Sequence, residues 1–155
     1  MLYLLEEQAA DRASLVTETG VRLPAPLTAS GLAVLAALPA SQVRAIWPTR
    51  RDLVRRQDRG PASLTELRQT LVETRRRGWA REDGSVTPGF ASVGAAVLDH
   101  SGHPQAAVAL TFPAEEVEDR ERLRLAGRVL QASGQIARHI LGRVPRQPAA
   151  QRRFG

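Results

Sequence analysis

Residues 91–112, ASVGAAVLDHSGHPQAAVALTF, form the stretch that decides the fold of this 155-residue chain. Two apolar runs of about eight residues, at 91–98 and 105–112, flank the turn-rich segment DHSGHP. Runs of this length are typical of buried strands and are too short for independent helices. The Asp, Ser, Gly and Pro residues between them favour a bend. The pattern therefore predicts two adjacent strands at the centre of a sheet.

Small side chains dominate both runs. Glycine or alanine occupies positions 94–96, 106, 107 and 109, where leucine or phenylalanine would fill the space above the sheet. Two interpretations follow and both stay open at this point. The space can hold a ligand beside the sheet, or it can accommodate helices that pack closely on an alanine-rich surface.

Length and composition restrict the class of protein. The chain is long enough for one domain with a single core, and 43% of its residues are hydrophobic. It has no cysteine, which excludes thiol catalysis, zinc fingers and disulfide scaffolds and favours an intracellular compartment. The sequence has neither a signal-peptide pattern nor an apolar run of ~20 residues. We therefore expect a soluble, cytoplasmic protein.

The net charge of +6 comes from arginine, because all 22 basic residues are arginines. Four of them lie in the tail at residues 143–155, which we expect to be disordered. A second cluster, TRRDLVRRQDR at residues 49–59, is interrupted by Asp52 and Asp58. We interpret it as a solvated loop, with a phosphate-binding patch as the alternative.

Elements before the central strands are marked by local signals. Residues 2–6 and 13–18 have strand character and predict a first hairpin that pairs with the central strands. Thr28 can cap a helix over residues 30–38, SGLAVLAAL. The start of this helix would leave the backbone N–H groups of residues 29–31 free, which is an arrangement that attracts anions.

Two more helices are predicted before the central strands. Pro39 ends the first helix, and a short second helix begins at Ala40. The third helix has a capping box of Ser63 and Glu66 and ends at Gly78. We expect the arginines at 75–77 to form a solvated helix end that matches the helix dipole.

The remaining elements complete an α+β pattern. Residues 79–82 predict a strand, and the acidic residues at 115–119 mark the start of a final helix that runs to Gly142. The predicted buried stripe of that helix consists of Ala126, Val129, Leu130, Ser133, Ile136, Ala137 and Ile140. Strands, helices, strands and a helix in this order predict an α+β domain with a mostly antiparallel sheet.

Catalytic and metal-binding patterns are weak. His100 and His103 share a turn, and His139 lies on the final helix, so the three histidines do not cluster with further ligands. The sequence has no GxSxG elbow, no phosphate-binding glycine loop and no GxGxxG. We expect no enzymatic activity, no metal and no cofactor.

Three segments carry a resemblance to a known family: RLPAPLTASGLAVLAALP at 22–39, ETRRRGWARED at 73–83 and PGFASVGAAVLDHSGHPQAAVALTFP at 88–113. In order and spacing they resemble the effector-binding domain of IclR-type bacterial transcriptional regulators, over residues 2–142. The resemblance implies a GAF-like fold, a curved and mostly antiparallel sheet flanked by helices. It also implies a small-molecule effector, often a carboxylate.

The same resemblance implies which residues face the effector: Ala29, Ser30, Gly31, Glu82, Ser92, Ala109 and Thr111. Backbone N–H groups at 29–31 would receive a carboxylate or carbonyl, and the hydroxyls at 92 and 111 would orient the ligand. Glu82 would accept a hydrogen bond from a ligand hydroxyl or, if desolvated, carry a proton itself.

The chain departs from the family pattern at several of these positions. Ser85 and Ser92 stand where the motif usually has glutamate and then cysteine, and Ala109 stands where a hydroxyl residue is common. Leu98 replaces a preferred aromatic residue. These changes imply a less polar or bulkier ligand than a two- or three-carbon acid, or a decayed site.

Such regulators read DNA through an N-terminal winged helix-turn-helix, which we expect to be absent from this chain. We therefore expect residues 1–142 to form an effector-binding domain without DNA-contacting residues of its own. Its partners would be a small-molecule effector and further copies in a homodimer or homotetramer. The alternatives are a stand-alone oligomerisation module with a degenerate pocket and, third, a small hydrolase that uses Glu82 and Ser92.

Overall fold

A computed structural model describes residues 1–7, 19–49, 53–56 and 59–142. In this part of the chain the sheet has three strands, β1 (Ala80–Asp83), β2 (Phe90–Leu98) and β3 (Pro104–Pro113), in the order β1-β2-β3. Both pairings are antiparallel. The two predicted central strands are thus confirmed as β2 and β3.

Four α-helices surround the sheet. They are α1 (Ala29–Ala37), α2 (Ala40–Ile46), α3 (Leu64–Arg77) and α4 (Asp119–His139), and a short 3-10 helix at Ala25–Leu27 leads into α1. Among the described residues, no helix combines the length and the apolar character that a membrane span requires. The α+β class predicted from the sequence is confirmed.

The turn between β2 and β3 is fixed by the Asp99 carboxylate. Its Oδ1 accepts hydrogen bonds from the backbone N–H groups of Ser101 and His103, at 2.9 Å each, and from the Ser101 hydroxyl. Its Oδ2 accepts from the Gln105 side-chain amide at 2.9 Å. These bonds, that of the Ser101 hydroxyl first, hold the pKa of Asp99 well below its usual range. The predicted bend therefore has a specific stabilising residue.

The two faces of the sheet carry separate hydrophobic clusters. Side chains alternate along a strand, so Val93 and Ala95 of β2 point away from the face that contains Gly94. The face that contains Gly94 is covered by a cluster of residues from α1, α2, α3 and β1. Its members are Leu32, Ala33, Leu35, Ala36, Val43, Leu67, Leu71 and Ala80. The opposite face is covered by α4 through Ala126, Val129 and Leu130.

Helix ends follow the predicted signals. The Thr28 side chain accepts a hydrogen bond from the Gly31 N–H at the start of α1, and the Ser63 side chain accepts one from the Glu66 N–H at the start of α3. The Glu66 carboxylate accepts in return from the Ala62 N–H at 2.7 Å. Gly78 ends α3 with a left-handed φ of 81°. Local capping chemistry thus defines both helices.

Two of the three arginines at the end of α3 make specific contacts that the sequence did not indicate. Arg75 donates from Nε to the Ala36 carbonyl oxygen at 2.8 Å, which satisfies a free carbonyl at the end of α1. The Arg77 guanidinium lies over the Trp79 ring, 5.0 Å from its centroid. The prediction of a solvated helix end is confirmed for Arg75 and Arg76, which are exposed, and is wrong for Arg77, which is half-buried against Trp79.

The first hairpin differs from the prediction. Leu2 forms a single antiparallel bridge with Arg22 rather than a strand of the central sheet. Backbone hydrogen bonds join Tyr3 to Gly20 and Val21, at 2.8 and 3.1 Å. Residues 13–18, part of the cluster at 49–59 and the tail at 143–155 lie outside the described residues. Within that cluster, Arg59 donates to the Asp83 carbonyl oxygen at 3.0 Å.

Helix α4 is shorter and less buried than predicted. It begins at Asp119 after the N-cap residue Glu118, so Glu115 lies outside it. Ile136 and Ile140 were predicted to be buried, but they are 43% and 47% exposed. Ser133 and Ala137 in the same turns are 0% exposed, so the two isoleucines lie to one side of the buried stripe.

Candidate functional site

The residues singled out on the three strands lie side by side on one face of the sheet. Glu82 of β1 is opposite Ser92 of β2, which is opposite Thr111 of β3. One row further along, Gly94 is opposite Ala109. Directly opposite residues share a face, and this is the face that α1 covers. The structure therefore brings the strand positions together.

A chain of hydrogen bonds links the three polar side chains. The Ser92 hydroxyl donates to Oε1 of Glu82 at 2.8 Å, and the Ser92 and Thr111 hydroxyls are 3.0 Å apart. The second carboxylate oxygen of Glu82 accepts from the Ser85 N–H at 2.9 Å. While Glu82 is ionised, Ser92 gives its only proton to it and the Thr111 hydroxyl is the donor in the second bond. When Glu82 is protonated, it can donate to Ser92, and Ser92 can then donate to Thr111.

Burial sets the protonation of Glu82. Glu82 is 8% exposed, and Ser92 beside it is 7% exposed. Desolvation raises the pKa of Glu82 above its usual range, and hydrogen bonds from Ser85 and Ser92 only partly oppose this shift. The carboxyl group can therefore hold a proton more readily than a surface glutamate.

The start of α1 supplies two backbone donors rather than three. The Gly31 N–H was predicted to be free, but it donates to Oγ1 of Thr28 at 2.9 Å. Among the described residues, the N–H groups of Ala29 and Ser30 have no hydrogen-bond acceptor. The correction has a simple cause, because a threonine cap satisfies one of the helix-end donors that an anion would otherwise use.

Helix α1 touches the sheet at Gly94. A Cβ atom at position 94 would lie 2.8 Å from the Ala29 carbonyl carbon and 2.9 Å from the Ser30 nitrogen. Backbone therefore rests almost directly on backbone at this point. Of the two interpretations of the small residues, close packing of a helix describes the contact at Gly94. Thr111, at the outer end of the polar row, is exposed, so that end of the row is open to a ligand.

Tyr3 belongs to the same site, and the sequence did not indicate it. Its phenol faces the hydroxyls of Ser30 and Thr28 and lies near the Glu82 carboxylate. Burial is the main cause that raises the pKa of Tyr3 above its usual value. The only signal was one aromatic residue in a segment predicted to be an ordinary strand, and its position depends on the pairing with residues 20–23.

Comparison with known proteins identifies the fold and the family. The family model for the C-terminal domain of the bacterial transcriptional regulator IclR matches residues 1–138. The chain belongs to the IclR family. The predicted GAF-like domain is thereby confirmed, because its structural neighbours are the effector-binding domains of this family.

Individual relatives agree with this assignment. The chain is 28% identical over 92 residues to the HTH-type transcriptional regulator BhcR of Paracoccus denitrificans. The aligned region covers 59% of this chain and 31% of BhcR. The Agrobacterium tumefaciens repressor BlcR has a TM-score of 0.76 and 28% identity, with 81% of this chain and 51% of BlcR covered. Thermotoga maritima IclR has a TM-score of 0.77 at 20% identity, with 87% and 54% covered. The chain thus spans about half of these proteins or less.

The three histidines are not part of the candidate site. His100 and His103 lie at the β2–β3 turn, and His139 Nδ1 is 2.9 Å from the Gln135 carbonyl oxygen on α4. Within residues 1–7, 19–49, 53–56 and 59–142, no group of three potential metal ligands is present. The chemistry of the site is therefore that of hydroxyl, carboxyl and backbone N–H groups.

Proposed function

We propose that this chain is the effector-sensing part of an IclR-family regulator, and that it binds a small organic or aromatic acid where α1 meets the sheet. The observation that supports this best is the Thr111–Ser92–Glu82 hydrogen-bonded chain beside the first turn of α1. Buried polar side chains are costly unless they are paired. A row that is buried at one end and exposed at the other retains hydrogen-bonding capacity for a ligand.

Each group has a defined task in this proposal. The Ala29 and Ser30 N–H groups, with the dipole of α1, receive the ligand carboxylate. Thr111 accepts a hydrogen bond from the ligand, and Glu82 donates or accepts one according to its protonation. Ala109 leaves room for a less polar or bulkier ligand body than a two- or three-carbon acid.

Helix α1 also connects the site to the rest of the domain. It packs on α3 as well as on all three strands, so a displacement of its first turn by a ligand is passed to α3. We infer that a cytoplasmic homodimer or homotetramer transmits this change to a winged helix-turn-helix that binds DNA. The name of BhcR, an HTH-type transcriptional regulator, supports this arrangement. It also supports a non-enzymatic role.

A second candidate function is an oligomerisation module whose pocket has degenerated. The contact between Gly94 and the first turn of α1 favours it, because the space above the sheet is already filled there. In this case the hydrogen-bonded row is only a structural element. No organic acid would then stabilise the domain.

The experiment is a thermal-unfolding screen with acetate, lactate, benzoate and phenylacetate. A ligand present at 100 times its Kd stabilises the native state by about 2.7 kcal/mol, so we expect the Tm to rise by several degrees with at least one acid. Thr111→Val should reduce the affinity about fivefold to tenfold, because one hydrogen bond of about 1 kcal/mol is lost. Ser30→Trp should abolish the Tm shift.

Ser41→Trp is the matched control, because Ser41 is exposed on α2. It should leave the Tm shift unchanged. Thr111→Val keeps the test valid if Ser30→Trp fails to fold. The absence of any Tm shift would favour the oligomerisation module. An unchanged shift in Thr111→Val and folded Ser30→Trp would show that the acid binds elsewhere, and it would overturn the proposed effector site.

A further inference from the structure

An apolar groove lies between α2 and α3, and none of the polar-row residues line it. Its volume is about 240 Å³. The floor consists of Val43, Leu67 and Leu71, which are 7%, 1% and 4% exposed, and Trp47 borders it after the end of α2. None of these four side chains belongs to the predicted effector site, so the groove is a separate feature.

The rim of the groove is positively charged. Arg44, Arg68 and Arg75 all line it. Arg75 is held by the Ala36 carbonyl oxygen, whereas Arg44 and Arg68 are exposed and have no carboxylate partner among the described residues. An apolar floor with two guanidinium groups available at its edge is complementary to an anion with an apolar body.

Nearby carboxylates do not cancel this charge. Glu66, near the start of α3, is held by the Ala62 N–H. Glu73 borders a neighbouring depression that shares Arg68 and Val72 with the groove, but Glu73 does not line the groove itself. The groove therefore combines a buried apolar floor with an exposed rim of one sign of charge.

We propose that this groove binds a small apolar carboxylate, with the aryl or branched alkyl body on the floor and the carboxylate between Arg44 and Arg68. Its volume is below the ~300 Å³ at which ordinary small-molecule sites begin, so the ligand has a single ring or a short branched chain. The floor residues Leu67 and Leu71 share a cluster with Leu35 of α1. Occupation of the groove therefore stabilises the layer of helices on that face.

The proposal does not depend on the effector site, and its test separates the two. Benzoate is titrated into the ¹⁵N-labelled protein, with benzamide as the neutral analogue of the same shape. We expect benzoate to shift the Trp47 indole N–H signal and the amides of α2 and α3. Shifts confined to Thr28–Gly31 and Thr111 would instead place benzoate at the effector site and overturn the groove proposal, while supporting the proposed function.

Charge is tested with the double variant Arg44→Gln/Arg68→Gln, in which both changed side chains are exposed. Benzoate affinity should fall at least tenfold, since each guanidinium contributes a charge-assisted hydrogen bond. Arg138→Gln on α4 is the matched control and should bind like the wild type, because Arg138 is also exposed. Equal binding by the double variant, or equal binding of benzamide, would overturn the proposal.

A partner protein is the competing occupant of such a groove. Trp47 signals that shift with protein concentration in the absence of benzoate would show that a second copy covers the groove, and this would also overturn the proposal. Ala40→Phe supplies an independent variant, because Ala40 lines the groove and is exposed. The added ring occupies the space of the ligand, so benzoate shifts at α2 and α3 should disappear while the fold is retained.

Discussion

The two faces of the sheet differ in the polarity of the strand residues that they bury. Under α4, the side chains of Val93, Ala95, Val129 and Leu130 pack together with exposures of 3% or less. Under α1, the same strands present Glu82, Ser92 and a bare glycine, and the helix approaches through its backbone. One face is thus an ordinary apolar core and the other is partly polar.

This difference separates stability from binding. Apolar burial stabilises a fold without requiring specific partners, whereas buried polar groups need every hydrogen bond to be made. Both faces carry buried apolar side chains that stabilise the fold. The α1 face also has hydrogen-bonding groups, and these are the ones that a ligand can use. Mutations on the two faces should accordingly differ in kind.

The largest effect should come from the α4 face. Leu130→Ala removes a side chain that is 3% exposed and should lower the free energy of unfolding by about 2–5 kcal/mol. Urea denaturation measures this change. Leu123→Ala on the same helix is the matched control, because Leu123 is 53% exposed, and it should change the stability by less than about 0.5 kcal/mol. Similar losses for both variants would contradict the comparison.

A smaller but more localised effect is expected from Gly94→Ala. The new Cβ would meet the backbone of Ala29, which cannot rotate away, and the resulting strain should cost about 1–3 kcal/mol. Amide hydrogen exchange should accelerate in the first turn of α1 while α4 stays protected.

Gly127→Ala in α4 is the control for Gly94→Ala, because a Cβ there meets nothing within 4 Å. It should stabilise the domain by about 0.5–1 kcal/mol through helix propensity. If Gly94→Ala left α1 exchange unchanged, the close contact between α1 and the sheet would be refuted.

The smallest effect concerns pH. Burial raises the pKa of Glu82 in the folded protein, so the folded state binds a proton more tightly than the unfolded state does. The resulting stabilisation is complete below the unfolded pKa of ~4.3 and is lost as pH rises through the folded pKa. The wild type should therefore gain stability relative to Glu82→Gln when pH falls from 7 to about 4.5.

Thermal unfolding of both proteins across this pH range measures the difference, which we expect to remain below about 1 kcal/mol. Glu115→Gln, at an exposed position, controls for the loss of one carboxyl group. A wild-type profile that runs parallel to that of Glu82→Gln would show that Glu82 is solvated in solution.

Local signals predicted most of the fold. Thr28, Ser63 and Gly78 define helix ends through groups a few residues away, and the β2–β3 pair follows from two apolar runs with a turn between them. The same locality explains the errors. Arg75 is exposed as predicted, but its hydrogen bond to the Ala36 carbonyl oxygen was missed. Ala36 is 39 residues away, and no local sequence pattern indicates a contact at that separation.

The candidate site was predictable in part. The resemblance to IclR-type domains selected Glu82, Ser92 and Thr111, and the strand register explains why they meet. The Gly31 N–H was counted as free although the Thr28 cap, itself predicted, would occupy it. Tyr3 was missed because its location results from the pairing of residues 1–3 with residues 20–23, which the sequence gives no reason to prefer.

The position of Tyr3 also gives the protein a spectroscopic label at its own site. Tyr3 is the chain's single tyrosine, so the ultraviolet absorbance change of phenol ionisation arises from this residue alone. Because its phenol faces Ser30 and lies near Glu82, anything that enters or opens the site alters the pH at which the absorbance changes. The unmodified protein can therefore report occupancy in a cuvette, without dye, isotope or engineered residue.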